Sequence, residues 1–152
     1  MSVNYQAEPF ADLMPELRAR VAAHWQEFAS DRDAFGMDVD WDLYLGLAKA
    51  GKLYVITARR GAVLVGYFGA IVGTDPHRKG VSTAFSRFLY ADKDPIRGLI
   101  VRGMIRESVR FFKAMGVRYY KYASKNQPII DRILAEIGFV PIETVHSMVV
   151  DP

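Results

Sequence analysis

Residues 88–116 combine the residue types from which an anion-binding site can be built. A short apolar run ends in a polar loop, the loop closes at Arg97-Gly98, and an amphipathic helix follows at once. The first N–H groups of a helix have no partner within it and lie at the positive end of its dipole, so such a turn favours a phosphate. Arg97 and Arg102 add positive charge. The pattern is that of a phosphate-binding loop, although an ordinary strand-to-helix turn has the same layout.

A second group of residues could move a proton. The ordinary pKa of histidine suits His24 to act as a base near neutral pH. Glu27 lies three positions further along the same predicted helix, so its carboxylate could orient or charge the ring. The alternative is that His24 is an ordinary boundary residue. His77, in a basic loop, and His146, in a predicted strand, are interpreted as surface and structural residues.

Composition excludes several kinds of site. The chain has no cysteine, which rules out a disulfide framework, a thiolate zinc site and a cysteine nucleophile. The three histidines show none of the close spacings of metal ligands, so no metal is expected. A net charge of +3 permits an anionic ligand or a nucleic acid but demands neither.

Two basic stretches leave alternatives open. Residues 118–122, RYYKY, resemble an aromatic and basic nucleic-acid surface, or they line a core and a cleft. The helix predicted at 98–115 has one basic face. This face is either solvated or binds the phosphates of a nucleic acid. That face carries Arg102, Arg106, Arg110 and Lys113.

Length and hydropathy indicate one domain. The 152 residues suit a single domain over 1–152 with its own core. No apolar run approaches the roughly 18 residues of a membrane span, and the first ten residues lack the pattern of a signal peptide. We therefore expect a cytoplasmic protein that does not enter a membrane.

Periodicity predicts helices and strands in a mixed order. Asp12 to Pro15 begins the first helix, and a second helix runs over 41–50 between the N-cap Asp40 and Gly51. Gly66 and Gly69 indicate a bulge or a close approach of another backbone. The remaining predictions are an edge strand or loose arm at 3–9, a loop at 29–39, strands at 52–58, 62–72, 81–90 and 117–123, helices at 98–115 and 127–137, and a final strand or strand pair at 139–150.

This order resembles the GCN5-related N-acetyltransferase (GNAT) superfamily. The residues that carry the resemblance are Pro95 to Ile100 at the turn and Ile137-Gly138-Phe139 after the last helix. The family motif at the turn is Gln/Arg-x-x-Gly-x-Gly/Ala. Gly98 matches it, whereas Pro95 and Ile100 depart from it. The resemblance implies an α+β fold, with a mostly antiparallel mixed sheet of six to seven strands flanked by about four helices.

The resemblance also implies a co-substrate site for acetyl-CoA. The end of the fourth strand would pair with the pantetheine arm, backbone amides at the turn would hold the pyrophosphate of coenzyme A, and an asparagine before the last helix would lie near the pantetheine. The matching positions are Leu89, Tyr90 and Ala91 on the strand, Ile96, Arg97, Gly98, Leu99 and Ile100 at the turn, and Asn126 before the helix.

One departure concerns the proton for the leaving thiolate. Many members of the family have a tyrosine four residues before the glycine of the closing Gly-Phe pair, and Leu134 stands there in this chain. Tyr120, Tyr122 or Ser124 would have to supply the proton, or the thiolate leaves unassisted. His24 and Glu27 would serve the acceptor amine.

The resulting hypothesis is an acetyl-CoA-dependent N-acetyltransferase acting on an amine of a small molecule or a protein. The helices around HWQEFA and DWDLYL also resemble acetyltransferase-like proteins of phages and prophages. That likeness raises the alternative of a DNA-modifying transferase that acts on a modified nucleobase. A further alternative is a non-catalytic coenzyme A-binding or interaction module. Members of the family are often homodimers.

Overall fold

Three consecutive strand segments form the centre of one five-stranded sheet. The computed structural model of the chain describes residues 2–28 and 37–150. Its elements, in chain order, are β1 (Val3–Glu8), α1 (Phe10–Phe28), α2 (Trp41–Lys49), β2 (Leu53–Arg60), β3 (Val63–Thr74), β4 (Ser82–Ala91), α3 (Arg97–Met115), β5 (Tyr119–Lys121) and α4 (Pro128–Ile137).

The strands are ordered β1-β2-β3-β4-β5 in space, as they are in the chain. β1 to β4 pair with one another in antiparallel fashion, and short turns connect β2 to β3 and β3 to β4. β5 pairs with β4 in parallel, since α3 carries the chain back to the same end of the sheet. The predicted α+β class and the parallel crossover are therefore confirmed, and residues 3–8 form an edge strand.

Helices cover both faces of the sheet. Side chains alternate along β2 and β3, so Ile56 and Phe68 face α3 and α4 while Val55 and Tyr67 face α1 and α2. α3 lies across β1 to β4 and buries the apolar side of its amphipathic pattern. Gly116 ends this helix in the left-handed conformation, with φ of 88°. The buried residues of α3 are Ile100, Val101, Met104, Ile105, Ser108 and Phe112.

The predicted strand or strand pair at 139–150 is wrong. These residues form no strand, and 140–150 are exposed throughout. The sheet of the described residues therefore has five strands rather than six or seven. β-Branched residues favour an extended chain, but a strand also needs a neighbouring strand to accept its hydrogen bonds.

Two further points concern the predicted loop and the prediction that the chain does not enter a membrane. The predicted loop at 29–39 falls largely outside the described residues, which resume at Met37. None of the described helices is both long enough and apolar enough to cross a membrane.

Gly103 provides a test of the packing between α3 and β1. Alanine normally stabilises a helix interior by about 1 kcal/mol relative to glycine. At this position the added carbon would lie 2.0 Å from Cζ of Tyr5, so the tyrosine ring would have to move. We expect Gly103→Ala to lower the free energy of unfolding by about 1 kcal/mol in urea titrations. In a Tyr5→Ala background the same change should raise it, and a gain in both backgrounds would contradict this packing.

Candidate active site

β4 and β5 diverge after three residue pairs and leave a cleft in the sheet. Thr83 to Phe85 pair with Tyr119 to Lys121, and the pairing ends there. Just beyond the last pair β4 has a bulge, where Phe88 lies opposite Gly69 and Ser86 lies opposite Ala70, so Arg87 between them has no partner on β3. The register shift confirms the predicted bulge at Gly69. The close neighbour of this glycine is a side chain rather than another backbone, because a Cβ at residue 69 would lie 2.1 Å from the ring of Phe88.

The cleft has a volume of about 270 Å³ and lies between β4 and the stretch that follows β5. Ser86 Oγ accepts a hydrogen bond from the amide of Ala123 at 2.8 Å, which joins the two walls. The lining comprises His24 from α1, Phe85 to Leu89 from β4, Tyr122 to Lys125 after β5, and Gln127 and Ile130 at the start of α4. Side chains from α1, β4, β5 and α4 thus meet in one place.

His24 is held at the cleft by two tyrosines. Its Nδ1 lies 3.1 Å from the hydroxyl oxygen of Tyr67 on β3. Its ring centroid lies 5.8 Å from the centroids of both Tyr67 and Tyr90. Burial lowers the pKa of His24 to about 4, with a further lowering by the charge of Lys125 and an opposing effect of Glu27. The imidazole is therefore neutral at pH 7, and it is a weaker base than the ordinary pKa of histidine predicts.

Tyr67 is a residue of the site that sequence reasoning missed. It is 43 positions away from His24 in the chain and reads as an apolar residue in the middle of a buried strand. The hydroxyl of a buried tyrosine needs a hydrogen-bond partner. This general requirement could have indicated from the sequence that Tyr67 has a polar neighbour. Burial raises the pKa of Tyr67, so it stays protonated beside His24.

The predicted phosphate turn is built on an aspartate. Asp94 Oδ1 accepts from the amide of Ile96 at 2.9 Å, and the Asp94 carbonyl accepts from the amide of Arg97 at 3.0 Å. The carboxylate of Asp94 also accepts from Arg60 at 3.0 Å. The amide of Gly98 has no acceptor among the described residues. A Cβ added there would meet nothing within 4 Å, so the turn is open at this position.

Arg97 and Glu27 form an ion pair between the turn and α1. The hydrogen bond from Arg97 is the main reason why the pKa of Glu27 is lowered. The guanidinium carbon of Arg97 also lies 5.9 Å from the ring centroid of Tyr90. Glu27 therefore acts chiefly as the counter-ion of Arg97, while its charge also favours protonation of His24.

The other residues predicted for the co-substrate lie in different surroundings. Leu89 lines the cleft, whereas Tyr90 and Ala91 are buried. At the turn, Ile96 and Leu99 are exposed and Ile100 is fully buried.

The candidate proton donors separate into two groups. Tyr122 and Ser124 line the cleft. Tyr120 instead faces the core, where its hydroxyl lies 2.8 Å from Ser108 Oγ. Leu134, at the position of the usual tyrosine, is 7% exposed and belongs to the same core.

The loop before α4 carries two residues in an unusual backbone conformation. Lys125 and Asn126 have φ of 53° and 57°, in the left-handed region that residues other than glycine seldom adopt. Both side chains are exposed, and Lys125 lines the cleft. Strained backbone of this kind is commonest at functional sites, and sequence reasoning gave no role to Lys125 or to Arg87, which also lines the cleft.

The basic face of α3 is partly neutralised. Arg102 pairs with Glu136 at 2.6 Å, and Arg110 pairs with Glu107 at 2.6 Å. Among the described residues no group of three His, Cys, Asp or Glu side chains could hold a metal ion.

No family model matches the sequence, and no curated protein matches it. Solved structures do match its fold. An aminoglycoside acetyltransferase from an uncultured soil metagenomic sample, in complex with sisomicin, has a TM-score of 0.74 at 16% identity, over 99% of this chain and 96% of the other. A ribosomal-protein-alanine N-acetyltransferase from Brucella melitensis biovar Abortus has a TM-score of 0.68 at 15% identity, over 99% and 100%.

A third structure, a predicted acetyltransferase from Clostridium acetobutylicum with acetyl-CoA, has a TM-score of 0.70 at 12% identity, over 97% of this chain and 96% of the other. The chain thus has the fold of these acetyltransferases over nearly its whole length, which confirms the predicted fold. The resemblance to phage proteins stays a prediction.

The lowered pKa of His24 predicts a pH-dependent stability. Its pKa is about 4 in the folded chain and 6.5 for a histidine in solvent. Between these values the unfolded chain binds the extra proton, so stability falls as pH falls. Between pH 7 and pH 5 this residue should cost about 2 kcal/mol of unfolding free energy. Urea titrations should show that loss in the parent and little of it in His24→Gln. Equal losses in both chains would place the ring in solvent.

Proposed function

We propose that the chain is an acetyl-CoA-dependent N-acetyltransferase that transfers the acetyl group to an amine. The observation that carries this proposal is the cleft between the diverging β4 and β5, with neutral His24 on its lining and the open Gly98 turn where β4 leads into α3. The fold shared with solved acetyltransferases supports it, and one of those structures holds acetyl-CoA.

The donor side fits an extended chain that ends in phosphates. Where β4 leaves β5, its backbone at Leu89 is available to a ligand that adds to the strand edge. At the α3 N-terminus the Gly98 amide offers a donor to an anion and Arg97 adds charge, whereas the amides of the neighbouring turn residues already have acceptors. Asn126 lies on the loop at the opposite wall.

The chemistry requires a base, because an amine near neutral pH carries a proton that it must lose before it attacks a thioester. His24 is neutral and can accept that proton, although burial makes it a weaker base than an ordinary histidine. When its Nδ1–H donates to the Tyr67 oxygen, the other ring nitrogen keeps the lone pair that this role needs. Tyr67 is then a positioning residue that fixes the tautomer of His24.

The proton for the departing sulfur must come from the cleft. We propose Ser124 or Tyr122 for that role, since both line the cleft on the wall opposite β4, although the Tyr122 ring also stacks on Phe68 of the core. Burial raises the pKa of Tyr122, so it carries its proton over the whole neutral range. Tyr120 is less suitable, since its hydroxyl is engaged by Ser108 in the core.

The acceptor is an amine of a small molecule or a protein. One solved relative in fold holds sisomicin, and another is described as acting on the alanine of a ribosomal protein, so the fold accommodates both kinds of acceptor. Arg87 and Lys125 on the cleft lining add positive charge to the acceptor's surroundings.

A second candidate is a non-catalytic coenzyme A-binding module. Leu134 replaces the usual proton donor in the core, and Asp94 already engages the amides of Ile96 and Arg97. A DNA-modifying transferase has less support, because glutamates pair with Arg102 and Arg110 on the basic face.

Acetyl-CoA binding can be tested at Gly98. Thermal unfolding should shift upward with millimolar acetyl-CoA, since a ligand at 100 times its dissociation constant stabilises by about 2.7 kcal/mol. Gly98→Asp should abolish the shift, because it places a negative charge in the open turn. An aspartate in the first helical turn favours the helix, so the midpoint without ligand should not fall. Gly98→Ala is the control and should keep the ligand shift. A shift that survives in Gly98→Asp would place the phosphates elsewhere.

Catalysis can be separated from binding at His24. We expect His24→Ala to lower the turnover number by about 100-fold or more, measured as thiol release with a panel of amines and peptides. The thermal shift with acetyl-CoA should stay unchanged. If the parent binds acetyl-CoA but releases no thiol with any acceptor of the panel, the result would favour the non-catalytic module. Equal losses of turnover and of binding would make His24 a structural residue.

A further inference from the structure

Two cations line the cleft, and none of its described lining residues is a carboxylate. Arg87 lies on β4, and Lys125 lies on the opposite wall in the loop before α4. Both side chains are exposed, and neither forms an ion pair with another described residue. The charge of Lys125 reaches His24, whose pKa it lowers. The described part of the cleft therefore has a surplus of positive charge beside the proposed base.

The carboxylates on the elements around this base are neutralised by other partners. Glu27, one turn from His24 on α1, pairs with Arg97. Asp92, the first residue after β4, pairs with Arg20 at 2.6 Å. Neither carboxylate lines the cleft. An anion that enters the cleft would therefore meet positive charges that no described carboxylate compensates.

Irregular backbone carries both cations. Arg87 occupies the bulge of β4 and has no partner on β3. A bulge frees its residue from the alternation of the strand and re-aims the side chain, which is common beside active sites. Lys125 has a φ of 53°, in the left-handed region. Ordinary surface cations need no such backbone, so the two irregularities favour a function for these side chains.

The cation on β4 lies apart from the turn that is proposed to hold the phosphates of acetyl-CoA. β4 continues from Arg87 to Ala91 before that turn begins, which is about 13 Å at about 3.3 Å per residue. The part of acetyl-CoA that would lie along this stretch is the pantetheine arm, and it carries no charge. Arg87, and Lys125 across the cleft, are therefore available to the other substrate.

We infer that the acceptor is an amine with a carboxylate close to its nitrogen, and that Arg87 and Lys125 bind this carboxylate. The inference rests on the proposed function, since it names the class of acceptor for that reaction. A guanidinium and an ammonium form strong, charge-assisted hydrogen bonds with a carboxylate, whereas both repel a polyamine. A carboxylate held between the two walls leaves the amine in the cleft that His24 also lines. The carboxylate belongs either to a free amino acid or to an acidic side chain near the N-terminus of a peptide.

Matched acceptors test the inference through thiol release from acetyl-CoA. One arm compares β-alanine with β-alaninamide, and the other compares a short peptide that has aspartate in second position with its asparagine analogue. Each pair differs in a single negative charge. In at least one arm we expect kcat/KM to be about 10-fold or more higher for the acid, because the neutral analogue leaves two cations without an anion. The arm that shows the preference identifies the source of the carboxylate.

Variants of the two cations assign the preference to them. Arg87→Gln combined with Lys125→Gln should remove the preference for the acid, and Arg87→Glu combined with Lys125→Glu should reverse it. The ratio of kcat/KM within a pair is the readout, since a change in the base affects both acceptors alike. Lys52→Glu combined with Lys79→Glu is the matched control, because both lysines are exposed and lie outside the cleft lining, and it should keep the ratio. The thermal shift with acetyl-CoA should persist in all variants.

The possible failures are distinguishable. Equal kcat/KM for acid and neutral analogue in both arms would overturn the inference and leave the proposed function standing. An unchanged ratio in the glutamate variant, with both acceptors slowed alike, would overturn it too and place the cations in the reaction itself. If no acceptor releases thiol, the proposed function fails, and thermal unfolding with coenzyme A plus each acceptor decides about binding. A shift with the acid alone, lost in the glutamate variant, would support the carboxylate site, and equal shifts or none would overturn it.

Discussion

The architecture of this chain depends on where the hydrogen bonding between β4 and β5 stops. Two parallel strands that stayed paired would close the sheet, and no cleft would exist between them. The bulge that leaves Arg87 without a partner turns β4 away after Phe85. The ring of Phe88 then occupies the space that a side chain at residue 69 would need, which ties the bulge to Gly69. The bond from the Ala123 amide to Ser86 closes the narrow end of the gap.

Local signals in the sequence predicted much of this arrangement. The helix predicted at 98–115, the N-cap Asp40 and the central strands follow from residue type and period, and each appears in the structure. Gly98 and His24 were predicted for the same reason, because a glycine at a strand-to-helix turn and a titratable imidazole can be recognised from residue type and position alone. Whether they bind and react as proposed stays a prediction.

Contacts between distant residues could not be predicted in the same way. Tyr67 meets His24 across 43 positions, and Glu27 meets Arg97 across 70. Tyr120 and Tyr122 both pack against the core, yet the Tyr120 hydroxyl meets Ser108 there whereas Tyr122 also lines the cleft. The strand predicted at 139–150 failed because strand preference is local whereas strand pairing is not.

The Arg97–Glu27 ion pair has a consequence for the order of events in the proposed reaction. Glu27 and His24 lie one turn apart on α1, so one helix carries both the counter-ion of the turn and the base of the cleft. A phosphate that engages Arg97 draws the arginine away from Glu27, and the carboxylate then acts more strongly on the neighbouring imidazole. Thermodynamic linkage makes this influence mutual, so the charge state at His24 and the affinity at the turn are coupled. Binding of a phosphate at the turn would therefore raise the pKa of His24, so His24 becomes a stronger base once the donor is in place.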